Sequence, residues 1–125
     1  MLEGVLLLGH GSRRPEANQE ILQIAELVQA RGGDAVYQTG FLQFGTPTLS
    51  GAVAKLARAG VRKITVVPLL LVVGTHIQDD LPRLIQEQKR LYPDITFFLA
   101  PHLGADPRIA EIVLERMTQG CEIKI

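Results

Sequence analysis

Two histidines each follow an apolar run: His10 in GVLLLGHGSRR and His76 in ITVVPLLLVVGTHIQDD. An imidazole can bind a metal, move a proton near neutral pH, or serve as a structural hydrogen-bonding group. If both runs are parallel strands of one sheet, the two rings emerge at its carboxyl edge, where open α/β sheets bind ligands. Residues 66 positions apart in the chain would then form one site. Gly9 and Gly11 flank His10 and leave room for backbone or a bulky ligand to approach, and Gly74 does the same for His76. Ser12 follows in the first loop but lacks the Gly-x-Ser-x-Gly elbow of a serine nucleophile, so a helix cap or a substrate hydrogen bond is its expected role. Arg13 and Arg14 are either solvated charges or receivers of an anionic substrate at the rim of the cleft. Asp79 and Asp80 serve the positive end of a following helix or, alternatively, orient a histidine from its far nitrogen. His102 also follows a strand and is read as a peripheral loop residue.

The elements that must position these residues alternate along the chain. Gly4 to Leu8 is a short continuous apolar run, as expected for a strand covered on both faces. Pro15 suits a first helical turn, and Ile21, Leu22, Ile24, Ala25, Leu27 and Val28 repeat with helical spacing up to Gly32-Gly33. Ala35 to Leu42 reads as a second strand, followed by a helix opened by Pro47 with Leu49, Val53, Leu56 and Ala57 inward. Ile64 to Val72 is a third, central strand, with an end or bulge expected near Pro68 because proline cannot donate to a ladder. A helix beginning around Asp79, Asp80 and Pro82, a fourth strand at Ile95 to Leu99, and a last helix burying Ile109, Ile112, Val113 and Met117 complete four βα repeats. This pattern predicts a flavodoxin-like three-layer αβα domain with a four-stranded parallel sheet and right-handed crossovers, residues 1–125 forming one domain.

Composition bounds the partners. Thirteen basic and thirteen acidic residues cancel, which argues against nucleic acid or an anionic membrane as partner through bulk charge. No stretch is apolar enough for a bilayer, and the N-terminal run is too short for a signal-peptide core. The single cysteine, Cys121, forms no internal disulfide, which suits a reduced, cytoplasmic compartment. Two histidines fall short of the four ligands of structural zinc. An open site is more consistent, and imidazole suits cobalt, nickel, zinc and iron.

Taken in order, HGSR after the first strand, Phe41-Leu42-x-x-x-x-Pro47 after the second, and Pro68-Leu69-x-x-x-x-Gly74-x-His76-x-x-x-Asp80-x-Pro82 after the third resemble the CbiX-type class II tetrapyrrole chelatases. The terminal LGADPRIAEIVLERM segment is similar to that family's last helix, so the resemblance, to the short-form members, covers nearly the whole chain. It implies a cobaltochelatase (a lyase) that inserts Co²⁺ into sirohydrochlorin without nucleotide hydrolysis, in anaerobic cobalamin biosynthesis. It also implies a homodimer that supplies both halves of a two-domain chelatase. His10 and His76 match the family's paired histidines and are implied to bind metal or accept pyrrole protons. Ser12, Arg13, Arg14, Gln43, Gly74 and Thr75 are the expected substrate-binding residues. No tightly bound cofactor is expected; Co²⁺, with Fe²⁺ or Ni²⁺ as alternatives, is a substrate. Members commonly carry a glutamate where this chain has Gln43, and an amide keeps the hydrogen bonding but loses the charge. Three readings stand: the cobaltochelatase with its ferro- and nickelochelatase variants, a non-catalytic tetrapyrrole- or metal-binding module, and a histidine-dependent hydrolase or phosphotransferase. The last lacks GxxxxGK[ST] or GxGxxG after its first strand.

Overall fold

The computed structural model describes residues 2–124. Eight elements alternate: β1 (Glu3–Gly9), α1 (Pro15–Arg31), β2 (Val36–Phe41), α2 (Leu49–Arg58), β3 (Lys63–Pro68), α3 (Thr75–Leu91), β4 (Thr96–Leu99) and α4 (Pro107–Met117). The strands form one parallel sheet in the order β2-β1-β3-β4. The chain reverses its direction of growth between β1 and β3, and that switch point opens the crevice where such sheets take ligands.

Register separates the two faces. Leu6 and Leu8 of β1 pair with Val66 and Pro68 of β3, and with Ile64 they meet Ala52, Val53 and Leu56 of α2 and Leu81 and Ile85 of α3. This face is fully packed, with Leu6, Leu8, Ala52, Val53, Ile64 and Val66 removed from solvent. The opposite face is covered by α1 alone. There Leu7, Thr39, Phe41 and Ala25 are buried, whereas Ile24 and Leu27, expected inward from their spacing, are exposed.

Several boundaries differ from the sequence reading for local reasons. β3 ends at Pro68, five residues into the apolar run, because proline has no N–H for the ladder; Leu69 donates one more bond to Leu8 O (2.8 Å) before the chain leaves the sheet. Pro47 does not open α2. Thr48 is the N-cap, its Oγ1 accepting from Gly51 N at 3.1 Å. α3 begins at Thr75, four residues earlier than expected, with extended Gly74 as N-cap; Pro82 sits inside it and leaves the Gln78 carbonyl without its usual donor. Asp79 and Asp80 therefore lie beyond the first turn, and Asp80 is held by Arg83.

The last helix departs most. Asp106 caps α4 by accepting from Arg108 N (2.9 Å) while the Arg108 guanidinium forks onto its carboxylate, which holds that carboxyl well below the usual carboxylate range. Ile112, Val113 and Met117, expected to be buried, are 47, 54 and 70 % exposed, and no residue of α4 is buried. Among the described residues no helix is long and apolar enough to cross a membrane.

Candidate functional site at the carboxyl edge

His10 leaves the buried end of β1 at the switch point, and its backbone is fixed across the strand gap. Leu42 N donates to Gly9 O (3.0 Å) and Gln43 N to His10 O (3.1 Å), extending the β1–β2 ladder one step beyond each strand. Gly11 adopts φ +90°, and a β-carbon there would fall on the Gln43 carbonyl oxygen, so only glycine admits this close crossing of the two loops. Its expected role of giving room is thus filled by protein backbone.

The His10 ring is exposed and its Nδ1 faces two groups: the Gln43 amide at 3.2 Å and the Gly11 carbonyl at 3.3 Å. The carbonyl can only accept and fits the tautomer with the proton on Nδ1, whereas the Gln43 Nε2 can only donate and fits the tautomer with the lone pair there, so the two contacts serve opposite tautomers. Neither contact uses the far ring nitrogen, Nε2, which carries a lone pair able to bind a metal or take a proton when Nδ1 is protonated.

Ser12 does not cap α1. Its Oγ accepts from Arg14 N (3.1 Å), and Arg14, the N-cap residue, makes no side-chain cap. Asn18, one turn into α1, is what organises this loop. Its Oδ1 accepts from Ser12 N (2.9 Å) and its Nδ2 donates to both Ser12 O (2.9 Å) and Phe44 O (2.9 Å). One side chain thus ties the loop after β1 to the loop after β2. Phe44 sits there at φ +49°, a sparsely populated region for a bulky residue, and Arg13 lies over its ring at 4.6 Å. Neither Asn18 nor Phe44 carries a sequence signal of a role. An asparagine early in a helix reads as a surface residue until its long-range partners are known.

His76 occupies the second position of α3, exposed, beside Gly74 and Thr75 and below an apolar loop whose Leu71 and Val72 project into solvent. Thr75 and Gly74 are likewise exposed. A cavity of about 300 Å³ adjoins this helix end, lined by Pro68, Val73, Gln78, Leu81 and Pro101 and by half-buried His102. A second cavity, of about 440 Å³, lies on the other side of the first loop, between Ser12, Arg13, Asn18 and Phe44. His102 thus belongs to the same carboxyl edge as the two exposed histidines, although sequence position made it peripheral. Among the described residues no three of histidine, cysteine, aspartate or glutamate cluster as a ready metal cage.

The arrangement defines an open α/β domain whose switch-point crevice presents unencumbered imidazole, arginine and apolar surface. Its family is shown by sequence: the CbiX profile matches residues 4–120, and the chain belongs to the CbiX family. It is 37 % identical to the sirohydrochlorin cobaltochelatase of Methanopyrus kandleri, across 92 % of this chain and 94 % of the relative. The sirohydrochlorin chelatase SirB of Bacillus subtilis subspecies spizizenii, solved in complex with cobalt, superposes with a TM-score of 0.89 at 31 % identity. SirB of Bacillus subtilis solved with Fe³⁺ gives 0.88 at 30 %. The match takes in 95 and 98 % of this chain but only 51 and 49 % of those two, so the chain spans about half the length of SirB.

Proposed function

We propose that the protein is a sirohydrochlorin cobaltochelatase, inserting Co²⁺ into the tetrapyrrole without nucleotide hydrolysis, in the cytoplasm, as a step of anaerobic cobalamin synthesis. The observation that carries the reading is the similarity, over 92 % of the chain, to a protein of that activity whose length this chain nearly fills. The site chemistry agrees with it. Insertion replaces two pyrrole protons by one divalent ion, so the enzyme needs a ligand that can hold the ion loosely and a base that can take protons as it departs. His10, with its uncommitted Nε2, and His76 are assigned both roles. The two protons pass to these imidazoles and on to water. Positioned bases and a fixed geometry supply the acceleration.

Ser12, Arg13, Arg14, Gln43, Gly74 and Thr75 are assigned to the macrocycle. The arginines face its carboxylates and the exposed Leu71, Val72 and Phe44 its apolar plane. Neither cavity at this edge encloses a planar tetrapyrrole, and the chain is half a SirB, so the working unit is a homodimer whose second copy completes the cleft. Iron insertion is the second reading, supported by the solved SirB with Fe³⁺. Ligand type alone does not separate these metals.

The test follows the absorbance of sirohydrochlorin on addition of Co²⁺, Ni²⁺ or Fe²⁺. Co²⁺ is expected to insert fastest, with His10→Ala and His76→Ala each slowed by roughly 10²- to 10⁴-fold, the range of a removed acid–base group. Both side chains are exposed, so the variants keep the fold. Wild-type rates in both would overturn the mechanism, and tight tetrapyrrole binding with no insertion of any metal would make the protein a binding module.

A further inference from the structure

The first turn of α3 has two flanks. Ile77, Leu81, Leu84 and Ile85 turn toward the core, so His76, one residue before Ile77, and Gln78, one residue after it, stand about 100° to either side of that stripe. Gln78 lines the cavity of about 300 Å³ together with Leu99, Ala100, Pro101 and His102 at the end of β4. β3 lies between β4 and β1 in the sheet, so His76 is on the flank toward β1 and His10. One helix start thus serves two spaces, the switch-point crevice on one side and this cavity on the other.

The cavity has an apolar body and a polar end. Pro68, Val73 and Leu81 form its walls, and Leu99, on the core-facing side of β4, is still 41 % exposed there. Gln78 and half-buried His102 are its two polar side chains. Among the described residues neither side chain hydrogen-bonds another protein group and neither holds a buried orphaned atom, so both are open to a ligand. The backbone on each side of His102 is fixed. Ala100 N donates to Val66 O (2.8 Å), Leu103 N to Leu70 O (3.1 Å) and Gly104 N to Leu71 O (3.0 Å), which ties the loop after β4 to β3 and to the loop that follows it. A segment anchored in this way meets a ligand with little ordering cost.

We propose that this cavity takes one edge of the macrocycle, a single pyrrole ring with its carboxylate arm, and that His102 and Gln78 both donate hydrogen bonds to that carboxylate. The inference rests on the tetrapyrrole reading above and adds two positioning residues to those already assigned. Ligand pockets begin at roughly 300 Å³, so the space suits one substituted pyrrole and not a whole tetrapyrrole. The chemistry matches part by part. Sirohydrochlorin presents apolar ring carbons edged by acetate and propionate arms. The walls from Pro68, Val73, Leu81 and Leu99 meet the ring, and an imidazole N–H and an amide N–H meet the anionic end. A macrocycle with its nitrogens at His10 and His76 crosses the start of α3 and reaches the cavity with its rim. His102 therefore sets how the ring is turned in its own plane and takes no part in proton transfer.

The test titrates metal-free sirohydrochlorin into the protein and follows its absorbance with no metal present. His102→Ala and His102→Leu should each bind roughly tenfold more weakly than wild type, the effect of one lost hydrogen bond to a charged group, whereas His102→Gln keeps an N–H donor and should stay within about threefold. Gln78→Leu should weaken binding in the same way. Ala100→Phe fills the cavity while keeping the Ala100 N–H bond to Val66 O, and should weaken it most. Gln78 is exposed and His102 half-buried, so their variants keep the fold. Co²⁺ affinity by calorimetry should be unchanged in His102→Ala; a fall would make His102 a metal ligand and overturn the proposal. Equal losses in His102→Leu and His102→Gln would overturn the carboxylate contact, and wild-type binding in His102→Leu and Ala100→Phe would overturn the site as a whole while leaving the chelatase reading in place. A wild-type protein that binds no sirohydrochlorin would overturn both.

Discussion

Replacing Asn18 by alanine removes one side chain and three hydrogen bonds, two to Ser12 and one to Phe44, all at 2.9 Å. A hydrogen bond within a protein contributes about 0.5–1.5 kcal/mol net. The two bonds at Ser12 are partly buried and the one at Phe44 is exposed, where water replaces it, so the loss is about 2 kcal/mol. For a domain of this size that lowers Tm by roughly 6–10 °C. The functional effect should be uneven. His10 keeps its own anchors, Gln43 N to His10 O and Leu42 N to Gly9 O, so Co²⁺ binding should stay within about twofold. Ser12, Arg13 and Phe44 lose theirs, and the KM for sirohydrochlorin should rise roughly five- to tenfold, an expense of about 1–1.4 kcal/mol in binding, with kcat little changed. Asn18→Asp is the sharper variant, since it keeps the acceptor for Ser12 N but turns carboxylate oxygen toward two carbonyls; it should lose at least as much. Thermal unfolding and steady-state insertion kinetics measure both effects. An unchanged Tm and KM would refute the clamp, and a collapse of kcat at constant KM would show that Asn18 acts through His10 instead.

Gln43→Glu puts a unit negative charge beside the Nδ1 of His10, roughly 7 Å from a metal ion on the far ring nitrogen, worth about 1 kcal/mol of attraction for a divalent ion in a water-like surround. Co²⁺ affinity measured by calorimetry should tighten roughly five- to tenfold and weaken again with added salt. Gly11→Ala forces a β-carbon onto the Gln43 carbonyl in a left-handed backbone, so it should separate the two loops and lower both Tm and insertion rate more than Asn18→Ala does. The carboxyl of Asp106 is held low by Arg108, first through the side-chain hydrogen bond. A lowered folded-state value contributes stability above the ordinary carboxylate range and loses it only as pH falls through the lowered value. The α4 cap should therefore persist on acidification below about pH 4, the ordinary aspartate value, in helix content by circular dichroism, and Asp106→Ala should fray α4 already at neutral pH.

The strands and helices were legible because their signals are local. The β1 run from Gly4 to Leu8, Pro15 at the start of α1 and Pro68 at the end of β3 each state a hydrogen-bonding constraint that holds in any surroundings. Boundaries failed where two local signals competed. Asp79, Asp80 and Pro82 look like a helix start, but the extended Gly74 had already opened α3, and that puts His76 on a helix instead of in a turn.

The sequence by itself therefore determined the βα order, the parallel four-stranded sheet and the carboxyl-edge placement of His10 and His76, because strand and helix periods and turn residues act within a few positions. Only the tertiary structure decided what meets across the chain. Asn18 reaches Phe44 and Gln43 reaches His10 over 26 and 33 residues, and nothing at either end of such a contact encodes its partner. The apolar stripe of α4 shows the same division. Its period fixes that one face of the helix is to be buried, but which surface covers it depends on where the chain leaves β4, and that is set by the hydrogen bonds of Leu103 and Gly104 to the loop after β3.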